Sequence, residues 1–275
     1  NLPRFMLSIP GHAYAVAGDR VFINLFVQGE ARVALPGGEV RLEQQTRYPW
    51  DGDVKIRVSP AKPGRFTLAV RVPGWSMDHP VPGNLYRALA AGREPVTLRV
   101  YGLLVPIRLE RGFAVIGREW TSGDTIDLRL PMPVRRVVAH DAVTADEGRV
   151  AVERGPLVYA AEFVDNGGRV TNLVLDDQSP LASAWRPDLL NGVMTVTGSA
   201  TALRLRNGSP AAEAGPLTLI PYYGWAHRGK GEMAVWLARR ADRATPAPEA
   251  PTASSARASS TEAGRSIHEG KVKQP

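Results

Sequence analysis

At 275 residues and 44% hydrophobic side chains, the chain is long enough for one large domain or two modest ones with real cores. It has 0 cysteines, which excludes disulfides, zinc–thiolate sites and a cysteine nucleophile within this sequence, and no apolar run approaches the ~20 residues of a membrane-spanning helix. Its net charge of +7 comes from 34 basic residues scattered singly among 27 acidic ones, a pattern of solvated strand faces that argues against a nucleic-acid partner.

The high count of turn formers, Gly 27 and Pro 23, predicts many short elements rather than a helical bundle. Asn1-Leu2-Pro3-Arg4 reads as the interior of a longer chain, and Pro3 and Pro10-Gly11 leave room for about one helical turn before regular β sequence begins near Tyr14. The run 19–27 is a turn followed by a strand whose apolar residues are too continuous for one wet face, so a central position is expected. Strands over 31–35 and 39–42 flank a hairpin signal at Pro36-Gly37-Gly38. The stretch Gln44-Gln45-Thr46-Arg47-Tyr48-Pro49-Trp50-Asp51-Gly52 then joins two strand-like runs and reads as an aromatic corner at one end of a β-sandwich. Over 53–58 the alternation is clean, with Val54, Ile56 and Val58 inward; 66–72 repeats it with Phe66, Leu68, Val70 and Val72. Strands over 96–105, 113–116 and 125–130 follow.

Pro131-Met132-Pro133 cannot continue a central strand and marks a boundary. A second set of short strands is predicted over 134–140, 149–153, 157–163, 173–175, 194–197, 202–205, 217–222 and 232–237. Turn signals at this spacing fit an all-β fold of two consecutive sandwiches. The expected organisation is a leading segment over 1–13, a first sandwich over 14–131, a second over 132–240, and a disordered Ala/Ser/Pro-rich tail over 241–275.

No two of His12, His79, His140, His227 and His268 lie close enough for a local metal pair. His12 is the one to watch, beside whatever precedes Asn1. Glu153 and Glu162 are the nearest approach to the paired carboxylates of a glycosidase, but their odd separation would put them on opposite faces of one continuous strand. Arg154 reads as a structural tie to a carboxylate. Glu119 and Asp124 read as turn and cap residues, and Gly229-Lys230-Gly231 as a turn. There is no Gly-x-Ser-x-Gly elbow and no phosphate loop. Of Trp50, Trp75, Trp120, Trp185, Trp225 and Trp236, most sit beside Pro or Gly at strand ends and read as corner packing; Trp185 and Trp225 are expected to be exposed.

A set of stretches, taken in order, resembles the C-terminal part of glycoside hydrolase family 127, the β-L-arabinofuranosidase-like enzymes. They are Ile9-Pro10-Gly11-His12-Ala13-Tyr14, Asp19-Arg20-Val21-Phe22-Ile23-Asn24-Leu25, and the spans 46–52, 71–75, 118–124, 153–159 and 221–236. The resemblance implies a helical (α/α)6 barrel followed by two β-sandwiches. It also implies a zinc held in that barrel by a glutamate and cysteine thiolates, one cysteine being the nucleophile of a retaining reaction and a glutamate the acid/base. The last of those cysteines would lie just before the segment that resembles Asn1-Leu2-Pro3-Arg4, so no catalytic or metal residue is carried onto this chain, and no substrate-binding residue is assigned. Zinc is accordingly expected in the barrel and no cofactor here. The sandwiches are expected to pack on that barrel, with a homodimer as a further option, and the carbohydrate substrate is met through the longer enzyme. Two other readings stay open: a carbohydrate-binding module with Trp185 and Trp225 as a stacking platform, or a purely structural sandwich with an apolar surface around residues 1–14. The span 85–111 departs from the family pattern and leaves its strand pairing open.

Overall fold

Strand Asp53–Pro60 alternates exposed and buried residues along most of its length, as its sequence demands, and pairs on one side with Gly38–Thr46 and on the other with Asp124–Arg129. With Gly29–Leu35, Thr97–Val100 and Leu103–Leu104 these form a six-stranded sheet. A five-stranded sheet covers it, built from Tyr14–Ala17, Arg20–Ile23, Gly64–Arg71, Phe113–Trp120 and Leu109–Glu110. Strand Arg20–Ile23 is interior, as its apolar run suggests, and pairs in parallel with Gly64–Arg71. Val21, Ile23, Leu42, Ile56, Leu68, Val70, Ile126 and Trp120 fill the space between the sheets. Each such side chain, taken fully from water, contributes about 1.5–3 kcal/mol. The computed structural model describes residues 2–79, 81–90 and 94–249.

The second unit is also all strand. Val134–Ala139, Arg149–Arg154, Leu157–Glu162, Leu173–Val174, Leu181–Arg186, Val193–Arg206, Ser209–Pro221, Met233–Ala234 and Leu237–Ala238 surround a separate core of Val150, Val152, Tyr159, Val196, Leu217, Leu219 and Leu237. Its two layers are joined by hydrogen bonds. The path from Arg149–Arg154 through Leu157–Glu162, Ser209–Pro221, Val193–Arg206, Leu173–Val174 and Leu237–Ala238 returns to its starting strand. Closure of this kind leaves few free edges.

Several expectations need correction. The continuous strand expected over 96–105 is a hairpin: Tyr101 and Gly102 both have left-handed backbone (φ 54 and 75), and Val100 pairs with Leu103. Strands expected separately over 194–197 and 202–205 are one long strand, Val193–Arg206. In the span whose pairing was open, Tyr86–Ala88 leaves the first unit and becomes an edge strand on Val134–Ala139 of the second. The break at Pro131 therefore separates two cores, although one strand from before it belongs to the sheet of the second unit. Residues 241–249, expected within the tail, pack on the second unit: Ala247 is buried, its amide donates to Leu203 O (2.9 Å), and its carbonyl accepts from Leu205 (2.8 Å). The remainder of that expected tail, 250–275, lies outside the described residues. Among the described residues no helix is long and apolar enough to cross a membrane.

Candidate functional site

The corner over 44–52 is held by its own polar groups. Thr46 Oγ1 donates to Asp53 O (2.7 Å) and accepts from the Tyr48 amide (3.0 Å), Trp50 N donates to Arg47 O (2.8 Å), and Arg47 pairs with Asp51 at 2.8 Å. The Tyr48–Pro49 peptide is cis. The turn sends its two aromatics in different directions. Tyr48 packs inward on Phe26 (ring centroids 5.5 Å) and Trp75 (6.5 Å). Trp50 points at the second unit, meeting Trp185 at 5.4 Å and Tyr223 at 6.2 Å, while its carbonyl accepts from Arg154 (2.8 Å). The sequence-level sandwich corner is thus a junction between units, and Arg154 ties a backbone carbonyl rather than a carboxylate.

Among the described residues, exposed large aromatics gather beside Trp50 at the second unit. Trp185, Tyr222, Tyr223 and Trp225 are 43%, 45%, 56% and 39% exposed. Tyr222 and Trp225 lie nearly parallel (17°) with centroids 6.4 Å apart, whereas Trp50 and Trp185 meet edge to face at 67°, so the rings do not form one flat row. Their backbone is costly. Leu190 and Asn191 (φ 50 and 62) lead to Gly192, where a Cβ would lie 2.7 Å from the Trp185 ring, and Ala226 beside Trp225 has φ 68.

A buried ionic group holds that conformation. Glu162, 3% exposed, accepts from the Ala226 amide (2.8 Å) through one oxygen and from Arg228 Nε (3.0 Å) through the other. Arg228 also donates to both oxygens of Asp165 (2.9 and 2.6 Å). Asn166 adds a bridge, donating to Glu162 O (2.8 Å) and Thr218 O (2.9 Å) and accepting from Thr218 N (3.0 Å). Beneath the patch, burial pushes the Tyr159 hydroxyl up to about 12, with Arg154 opposing, and this hydroxyl has no hydrogen-bond partner among the described residues.

Glu153 and Glu162 lie on two strands of a hairpin, not on one strand, because Gly155 (φ 57) turns the chain. Glu153 faces Val158, so parity puts both glutamates on the same face, correcting the opposite-face expectation. Four strand positions still separate them by about 13 Å, beyond either glycosidase carboxylate spacing. Burial pushes Glu153 up, against the Arg135 charge. Asp124 accepts from Thr121 N (3.0 Å) and Thr121 Oγ1 (2.7 Å), a turn cap. Burial alone would raise its carboxyl, but these bonds, Tyr101 and Arg118 together hold it below the ordinary range. Glu119 is exposed. Trp120 is a corner tryptophan, buried with its Nε1 on Phe66 O (3.1 Å). His12, His79, His140 and His227 are exposed and apart from the patch's supporting bonds; His268 lies outside the described residues. Sequence reasoning missed Tyr222, Tyr223, Arg228 and Asp165, and the adjacent Tyr222-Tyr223 pair was the one available signal.

Beside Trp50 a cleft of about 910 Å³ follows the junction, with Asp51, Asp53, Arg136, Arg154 and Asp177 on its walls. Much of its charge is internally matched: Arg47 holds Asp51, and Arg239 holds Asp177. Among the described residues no three His, Asp or Glu side chains are grouped to hold a metal, and with 0 cysteines the implied zinc–thiolate donor set does not fit this chain.

Family models match the chain over residues 20–132, described as the middle domain of a glycoside hydrolase family 127 β-L-arabinofuranosidase, and over residues 134–238, described as the C-terminal domain of that family. A non-reducing end β-L-arabinofuranosidase of Bifidobacterium longum is 35% identical over 259 residues, covering 87% of this chain and 36% of that protein. A solved β-arabinofuranosidase of the same family superposes with a TM-score of 0.84 at 37% identity, covering 90% of this chain and 39% of that one. A β-L-arabinofuranosidase from Geobacillus stearothermophilus T6 gives 0.76 at 37% identity, covering 86% and 36%. The chain therefore spans little more than a third of the length of these relatives.

Proposed function

Because this chain belongs to glycoside hydrolase family 127, we propose that it is the accessory β-sandwich region of an enzyme that removes non-reducing terminal β-L-arabinofuranosyl or related sugar residues. By itself the region hydrolyses nothing. The observation that carries this reading is the pairing of two ordered family domains with relatives of which the chain spans only about 36%. The zinc, the cysteine nucleophile and the acid/base glutamate are assigned to the part of the enzyme outside this chain, and no catalytic step is routed through the residues described above.

Helix Leu2–Ser8 supports the packing role. It buries none of its residues, and Leu2, Phe5, Met6 and Leu7 are 58–84% exposed. Such apolar surface, held on one short helix, suits packing on the preceding region of the enzyme. The two alternatives, a carbohydrate-binding module and a purely structural sandwich, divide on the aromatic patch, which a structural role alone leaves unexplained. The test is turnover of an aryl β-L-arabinofuranoside by purified 1–275 and by a chain that includes the preceding region. Activity only in the longer chain is expected. Turnover by 1–275 alone overturns the accessory reading, and an inactive longer chain overturns the enzymatic one.

A further inference from the structure

We infer that the patch formed by Trp50, Trp185, Tyr222, Tyr223 and Trp225 is a contact surface for a neutral glycan chain. The inference rests on the reading that this region serves a glycan-acting enzyme, and it adds a place and a ligand chemistry. Aromatics are sparse in this chain, at 7%, yet four large exposed ones lie on the second unit, where Trp185 and Tyr223 meet Trp50 from the first and Tyr222 lies against Trp225. Random surface does not gather rings in this way.

The patch is also built. Three non-glycine residues in left-handed backbone, Leu190, Asn191 and Ala226, shape its two loops. Such conformations persist only where surrounding structure over-determines them. For Ala226, Glu162 and Arg228 do so, from a position where the strand could have been finished with apolar side chains. A loop that needs only to connect two strands has no use for that support.

The chemistry selects the ligand class. Ring faces offer apolar area, and two phenol hydroxyls and the indole N–H groups offer polar tips, the combination that suits a molecule with C–H faces and hydroxyl edges. The charges that hold the patch are spent on one another: Arg186 grips Asp188 with two bonds (3.0 and 2.8 Å), and Arg228 grips Asp165 and Glu162. Two arginines against three carboxylates leave one net negative charge at those positions and nothing to attract a polyanion, which matches an uncharged chain. Asp51 and Arg154, on either side of Trp50, continue into the junction cleft and give hydroxyl groups further partners. The surface differs in kind from helix Leu2–Ser8, whose exposed side chains are mainly aliphatic and carry no such polar tips.

The test is affinity electrophoresis of the full chain in gels holding neutral arabinogalactan, with polygalacturonate as the charged counterpart. Trp185→Ala and Trp225→Ala are compared with Phe5→Ala, and circular dichroism checks that each variant is folded. The neutral glycan is expected to retard the chain. Each tryptophan variant is expected to weaken binding about tenfold, the equivalent of ~1.4 kcal/mol, and Phe5→Ala to leave it unchanged. No retardation, equal retardation of all variants, or stronger binding to polygalacturonate overturns the inference. So does protection of Trp185 and Trp225 from N-bromosuccinimide in the longer enzyme, because the patch would then be an internal interface. Hydrolysis by the longer enzyme, measured separately, reads the family-level proposal, so either can fail without the other.

Discussion

Replacing Arg228 with Met removes the group that neutralises Glu162 and leaves a carboxylate 3% exposed with the Ala226 amide as its one remaining partner among those described. Breaking a buried pair from one side costs about 3–5 kcal/mol. Arg228 itself is 18% exposed, so water reaches the site and the lower end, about 3 kcal/mol, is expected. Glu162→Gln keeps the packing and an acceptor for Ala226, and Arg228 keeps both bonds to Asp165. Its cost is that of hydrogen bonds to a charged group, about 1.5–3 kcal/mol. With both changes present the buried Glu162 charge is gone and only the half-buried Asp165 loses its Arg228 partner, so the double variant should lose less than the two single losses combined. A coupling of at least about 1 kcal/mol is expected between residues in such contact. Urea unfolding followed by tryptophan fluorescence gives all four corners of the cycle. If the two changes add within about 0.5 kcal/mol, the ionic group does not act as the unit argued above, and the support assigned to the aromatic loops falls with it.

Three further outcomes are expected. Gly52→Ala drives a Cβ into the Leu130 carbonyl, a backbone atom that cannot swing aside, and should cost about 3 kcal/mol in urea unfolding, with a loss under 1 kcal/mol showing that the strands separate freely there. Tyr159→Phe deletes a buried hydroxyl with no partner among the described residues and should be neutral or stabilising by about 1 kcal/mol; a clear loss of stability would reveal a partner. For Asp124 the folded carboxyl titrates below the unfolded value of about 3.9, so its stabilisation is present above that pH and is lost as pH falls through the folded value. The stability gap between the parent and Asp124→Asn should therefore be full at pH 6 and shrink below about pH 4, and a gap that widens on acidification would contradict the sign.

Much of the candidate site was out of reach of local pattern. Exposure of Trp185 and Trp225 was expected from the sequence. Their meeting with Trp50 was not, because it depends on how two cores dock and joins positions far apart in sequence. The Glu153–Glu162 geometry shows the same limit from the other side: counting residues predicts a face only while the chain runs straight, and one left-handed glycine at 155 reverses the parity.

The strand content, the inward residues of Asp53–Pro60 and Gly64–Arg71, the Asp124 cap and the family were all legible along the chain. All of these follow from period-two alternation, turn chemistry or ordered motifs, which are properties of neighbours along the chain. Which edges pair and which side chains share a charge emerged with the folded arrangement. Tyr86–Ala88 joins the second unit because a free edge on Val134–Ala139 needs hydrogen-bond partners, and Arg228 finds Glu162 because a buried carboxylate must be neutralised. Those demands arise only once the chain has folded and water has been excluded, so no local stretch of sequence carries them.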